Sequence, residues 1–175
     1  LTGTPLVAKG STWLYLDDGR DQGTAWFASD FDDSTWASGV AQLGYGDGDE
    51  TTTISSGPSD DKNITTYYRH QFNVDDLSSI EKLTINLLRD DGAVVYLNGI
   101  EVVRSNMPSD VIGFNTAAAP QSVDGTEEDK FWAFNVEPSH LATGSNVLAV
   151  EIHQVSGSSS DISFDLQLIA NEGDA

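Results

Sequence analysis

"LRDDGAVVYLNGIEVVRS", residues 88–105, decides how this chain is read. Two runs of β-branched and aliphatic residues flank Asn98-Gly99. A type I′ hairpin turn needs positive φ at both central residues, and Asn followed by Gly tolerates that best. The stretch therefore predicts strands over 93–99 and 100–105, joined by a tight turn. Asp90-Asp91-Gly92 stands before the first strand and raises a second reading, a pair of catalytic carboxylates. Turn chemistry accounts for the triplet without catalysis: Asp accepts hydrogen bonds from nearby amides and Gly takes the bend. Residues adjacent in sequence also project their side chains apart. The expectation is that Asp90 and Asp91 lie in a solvated turn and are not an acid-base pair.

Outward from the hairpin, short β-rich runs alternate with Gly, Asp, Asn, Ser and Pro, and helical periodicity is scarce. Candidate strands cover 11–16, 66–74, 82–89, 130–136, 146–155 and 162–170, with a helical turn at 138–143. In "TYYRHQFNV", Tyr68, His70, Phe72 and Val74 share one face, with Arg69, Gln71 and Asn73 on the other. In "NVLAVEIHQ", Leu148, Val150 and Ile152 oppose Ala149, Glu151 and His153. Strands with one face in a core and one in water read this way. Regularly spaced strands with turn-rich joints predict a sandwich or barrel.

The 175 residues suffice for one domain with its own core. The absence of cysteine excludes disulfides, zinc-thiolate sites and thiol nucleophiles. Eight Lys and Arg stand against 28 Asp and Glu, a formal charge of −20. Such a surface repels phosphate backbones and anionic lipid, so neither nucleic acid nor membrane is expected as a partner. No stretch approaches the roughly 18 apolar residues of a membrane helix. No charged start followed by an apolar run marks a signal peptide. Residues 1–10 and 171–175 read as linker around a domain over 11–170, and the chain reads as a piece of a longer protein.

Three segments in order, "YYRHQFNV", "DDGAVVYLNGIEV" and "GSNVLAVEIHQ", together resemble the non-catalytic sugar-binding domain of β-galactosidases and β-glucuronidases. That domain is a galactose-binding-domain-like jelly roll. "FDDSTW" at 31–36 looks like the same family's Asp-rich turn before a structural tryptophan. The chain is also similar to accessory domains of large secreted bacterial proteins. The resemblance implies an all-β jelly-roll β-sandwich, frequent structural calcium, and carbohydrate bound on loops or a sheet face. The acidic insert 44–63 departs from the sugar-hydrolase pattern.

Within that insert, "GDGDE" places Asp47, Asp49 and Glu50 in one short loop. Calcium takes six to eight oxygens, about the number a flexible acidic, Gly-containing loop and its carbonyls could supply. The loop is no EF-hand, because no Glu closes it. Asp47 and Asp49 are the first candidates for a metal site, with Asp17 or Asp21 as the fallback; a solvated acidic face is the plainer reading. For sugar, an aromatic platform with polar neighbours is required. Trp13, Tyr15 and Trp132 read as core. Trp26, Tyr45 and Tyr67 lie in or beside loops, and Arg69 shares the outward face of Tyr67, so these four are the ligand candidates. No nucleophile elbow, zinc-protease helix or phosphate loop is present. The reading is a non-catalytic carbohydrate-binding or adhesion module of an extracellular multidomain protein, with glycan and neighbouring domains as partners. A ligand-free structural spacer is the alternative, and a small hydrolase the third.

Overall fold

The structure, a computed structural model, describes residues 3–120 and 125–172. The described residues form twelve strands: β1 (Thr4–Val7), β2 (Thr12–Leu16), β3 (Ala37–Val40), β4 (Leu43–Tyr45), β5 (Thr52–Thr53), β6 (Thr65–Val74), β7 (Ile80–Asp90), β8 (Gly92–Leu97), β9 (Ile100–Ser105), β10 (Phe131–Val136), β11 (Gly144–His153) and β12 (Ile162–Glu172). Single 3₁₀ turns occupy Ala25–Phe27, Gly125–Glu127 and Pro138–His140. One sheet runs β10-β7-β12-β4-β5, with β1 also paired to β12; the other runs β3-β2-β6-β11-β8-β9. Among the described residues only the short β4–β5 pairing is parallel. The two sheets form the expected all-β sandwich.

The hairpin turns where the sequence places it. Asn98 has φ 51° and Gly99 φ 83°, and Leu97 pairs with Ile100 across the turn. The Asn98 side chain also pins the turn to β11: its Nδ2 donates to the His140 carbonyl and to Asn146 Oδ1, and its Oδ1 accepts from the Val147 amide. β11 then pairs with β6 from Gly144↔Val74 to His153↔Thr65.

The main core lies between the sheets. Leu148, Val150 and Ile152 of β11 meet Leu83, Ile85 and Leu87 of β7 and Phe164, Leu166 and Leu168 of β12 in one buried cluster. Trp13 packs edge-on to Phe164 at 4.9 Å. Each such aliphatic or aromatic side chain contributes about 1.5–3 kcal/mol on full burial. The expected inner face of β6 holds, with Tyr68, Phe72 and Val74 in this cluster.

Three expectations need correction. Part of the amino-terminal linker is a strand: β1 pairs with β12 at Thr4↔Ala170, and β12 itself extends to Glu172. Residues 1–2 and 173–175, also expected as linker, lie outside the described residues. Second, β3, β4 and β5 fall in 37–53, where Gly, Ser and Thr weaken the apolar signal. Third, the outer face of the β6–β11–β8 sheet is not in water. Tyr67, Val94, Tyr96 and Ala149 form a second buried cluster with Trp26 and Trp36, against which Phe27, Phe31, Met107, Ile112 and Phe114 pack. Long loops cross that face, so period-2 alternation reports a core and a second covered layer. His153 is therefore fully buried; its Nδ1 lies 2.6 Å from the Thr116 carbonyl and its Nε2 3.3 Å from Glu151.

Two glycines test this packing separately. A Cβ on Gly99 would meet nothing closer than 3.8 Å, so Gly99→Ala is expected to cost only the roughly 1–2 kcal/mol of left-handed strain. A Cβ on Gly44 would stand 1.9 Å from the Ile162 carbonyl, so Gly44→Ala must separate β4 from β12. Urea unfolding is expected to show the larger loss for Gly44→Ala; equal losses would contradict this register.

Candidate functional site

The four ligand candidates do not form an exposed platform. The 3₁₀ turn at Ala25–Phe27 drops Trp26 onto the sheet, 4.7 Å from the Tyr67 ring and 5.7 Å from Tyr96. Phe27 stacks on Tyr96 at 4.2 Å. Trp26 and Tyr67 are buried. Arg69 is 2% exposed: its Nε donates to Asp33 at 2.7 Å, and its Nη1 to the carbonyls of Trp26 and Ala28. Its guanidinium also lies 5.3 Å over Phe31. Arg69 thus fastens a loop and offers nothing to solvent. Tyr45 belongs to the main core, and its hydroxyl accepts from Gln154 Nε2.

A cleft lies on the outer side of that same loop. It encloses about 300 Å³ between Leu16, Asp18, Arg20, Asp21, Gln22, Phe31, Asp32, Thr35 and Trp36. Phe31 and Trp36 meet edge-on at 5.8 Å. Arg20 pairs with Asp18 and is 80% exposed. The Asp32 carboxyl is held below its ordinary range by hydrogen bonds from Ser34. Polar donors and acceptors beside partly buried rings suit a neutral polyhydroxy ligand better than an anion.

The acidic candidates separate into three places. Asp17 accepts from the Ser55 amide at 2.6 Å, and Asp21 from the Gly23 amide at 2.8 Å; each serves a turn, and neither belongs to a ligand-spaced group among the described residues. Asp47, Asp49 and Glu50 do group, but Glu50 already accepts from the amides of Asp47 and Gly48. The third group is one the sequence does not place together. Asp47, Glu128 and Asp161 each bring a carboxylate oxygen within 4.8 Å of the others. Burial, then the carboxyl of Asp161, pushes Asp47 up to about 6, against a hydrogen bond from Ser163 that lowers it.

Beside this group stand Asp90 and Asp91, and the solvated-turn expectation fails here. They are 0% and 1% exposed. Asp91 Oδ2 accepts from the Val155 amide at 2.8 Å, the anchoring role expected of a turn carboxylate. Asp90 is different: neither oxygen meets a donor. Burial foremost, then the charge and carboxyl of Asp91, then Asp161 and Glu128, push Asp90 up to about 9. A carboxyl of Asp90 or Asp91 can hydrogen-bond to the other only by keeping a proton. Sequence distance hid this constellation, since Glu128 lies in the acidic run Glu127-Glu128-Asp129 and Asp161 alone before a strand, both far along the chain from Asp47. The available signal was "SSSDIS", an isolated Asp directly before a strand.

A scan of protein-family models and a search of curated proteins find no match. Solved structures do resemble this fold. A β-glycosidase from Bacteroides vulgatus matches 97% of this chain over 20% of its own, at 16% identity and TM-score 0.56. A β-glucuronidase from Bacteroides uniformis matches 92% over 17% of its own, at 22% identity and TM-score 0.57. A β-glucuronidase from an uncultured Clostridium species matches 94% over 28%, at 17% identity and TM-score 0.56. This chain therefore spans well under a third of each enzyme, and the likeness is one of fold.

The carboxyl shifts set a pH dependence in the presence of chelator. An unfolded Asp titrates near ~3.9, whereas Asp47 is raised to about 6 and Asp90 to about 9. The folded state holds its protons longer, so their contribution is complete below about pH 4 and is lost as pH rises through those folded values. Melting temperature in EDTA should therefore fall between pH 6 and 9. Asp90→Asn, neutral throughout and able to donate to Asp91, should flatten that fall. A wild-type curve flat or rising over this window contradicts the assignment.

Proposed function

We propose that this domain is a non-catalytic carbohydrate-binding module of a larger secreted glycosidase-type protein. The observation that carries the reading is the open cleft in which Phe31 and Trp36 stand beside Asp18, Arg20, Gln22 and Asp32. The fold likeness to portions of glycan-acting enzymes supports it, as do the −20 charge and the lack of cysteine. Such a module acts by tethering: weak binding to a polymer raises the local concentration of whatever domain is joined to it. Neighbouring domains and a glycan are its partners, and an extracellular site is its place of work. No helix of the described residues is long and apolar enough to cross a membrane. Calcium enters as a structural ion rather than as a reactant.

Chemistry is left to other domains in this reading. Glycoside hydrolysis uses two carboxyls about 5–9.5 Å apart across the scissile bond. Asp90 and Asp91 are sealed from solvent, and Asp91 is engaged by the Val155 amide. A spacer without ligand is favoured by one observation, that Trp26, Tyr67 and Arg69 are all spent on internal packing.

A glycan array probed with residues 1–175 distinguishes these readings. Binding to at least one glycan is expected, with Arg20→Ala and Gln22→Ala each weakening it several-fold at unchanged melting temperature. No retained glycan, or binding indifferent to both substitutions, leaves the spacer. Turnover on a glycoside panel that disappears in Asp91→Asn restores the hydrolase.

A further inference from the structure

We propose that Asp47, Glu128, Asp161 and Asp90 form a site for one hard divalent cation, calcium by preference, that joins four separate segments on the outer face of the first sheet. The inference locates the calcium of the proposed function and stands apart from glycan binding.

Three carboxylates come from different parts of the chain. Asp47 follows β4, Asp161 immediately precedes β12, and Glu128 follows the 3₁₀ turn Gly125–Glu127. Their oxygens lie within 4.8 Å of one another. None of the ion pairs formed by the described residues involves Asp47, Asp90 or Asp161. Crowded carboxylates are common on acidic surfaces, and alone these would mean little.

Asp90 supplies the independent observation. It is 0% exposed, and both of its oxygens lack a donor. The strand register aims it at the cluster. Asp90 pairs directly with Ser163, so the two side chains leave the same face of the sheet, with Cβ atoms about 4.5–5.5 Å apart. That face points away from the main core, because Ile162 and Phe164 on either side of Ser163 point into it. The Ser163 hydroxyl donates to Asp47 Oδ2 at 3.1 Å. Asp90 therefore lies beneath the group that Asp47, Glu128 and Asp161 form, and Asp161 and Glu128 are among the charges that act on it. A buried carboxylate without a donor is a costly thing to keep unless a cation takes the place of the missing hydrogen bonds.

The donor set fixes the chemical class. Carboxylate oxygens without nitrogen or sulfur suit hard cations. Ligands drawn from loops of different lengths fit the variable coordination of calcium better than the strict octahedron of magnesium. The Asp47–Asp49–Glu50 turn is the rival location for the same ion; Glu50 there accepts from two amides and Glu128 here from the Gly125 amide, so what separates the two sites is the buried, donorless Asp90.

Calorimetric titration of the 175-residue chain with calcium chloride and with magnesium chloride, paired with melts in EDTA, tests the site. One equivalent of calcium is expected, binding at least about tenfold tighter than magnesium and raising the melting temperature by mass action. Asp161→Asn and Asp90→Asn are each expected to weaken calcium binding more than about tenfold, the scale on which metal-site substitutions act. Asp49→Asn should bind as the wild type does. Both site variants lose like-charge repulsion, so in EDTA they should melt at or above the wild-type temperature, which shows that they fold. The proposal is overturned if wild-type calcium and EDTA melts coincide. It is also overturned if Asp49→Asn abolishes binding while Asp161→Asn retains it, which would put the ion in the Asp47–Glu50 turn. Glycan binding surviving calcium failure, or the reverse, separates this inference from the proposed function.

Discussion

Asp90 ends the longest run of β7 with a carboxylate that no donor reaches and no water wets. Its environment permits only two states, a retained proton or a nearby cation. Everything around it is arranged to that condition. β12 runs beside it and places Ser163 opposite. β4 approaches β12 so closely at Gly44 that no side chain fits, and the chain then delivers Asp47 to the Ser163 hydroxyl. Asp91, one residue on, is tied to the Val155 amide and so fixes where β7 gives way to β8. A single unneutralised charge in that position would set the edges of four segments against one another.

The second sheet meets a different constraint. Both faces of its central strands are apolar, so loops must cover the side that does not meet the first sheet. Arg69 makes that cover hold. An arginine buried without partners would cost several kcal/mol, and here the guanidinium is spent on Asp33 and two carbonyls of the covering loop. The cover is thus chosen by hydrogen-bond geometry as well as by hydrophobic area.

The architecture was legible because its signals are local. Asn98-Gly99 specifies a turn through backbone sterics alone, and alternation in β6 and β11 identifies the inner face directly. What alternation cannot report is the state of the other face. Arg69 and His153 read as outward-facing because polar residues on alternate positions usually are; their burial depends on loops whose path no short window encodes. Asp90 was misread for a related reason. Asp-Asp-Gly does make a turn, and Asp91 behaves as expected, but the turn is packed by segments distant in sequence: Met107 and Ala118 crowd Gly92, and the Val155 amide binds Asp91. Asp47 stands in an acidic loop and so is nominated by sequence with Asp49 and Glu50, while the fold also groups it with Glu128 and Asp161, which no short window brings together.

The misreading of Arg69 also shows how the cleft is built. The buried guanidinium lies 5.3 Å from the centre of the Phe31 ring, Phe31 meets Trp36 edge-on, and both rings line the cleft with Asp18, Arg20 and Gln22. The rings have fixed positions because Arg69, one layer deeper, holds Asp33 and the carbonyls of Trp26 and Ala28 at the same time. A weak binding surface in general gains affinity from such preorganisation, since little contact energy is available to offset the ordering of a mobile loop. The residue that sequence logic nominates as a ligand contributes from beneath instead: it fixes the loop on which the exposed groups stand, and any effect of replacing it on binding would arrive through the geometry of Phe31 and Trp36.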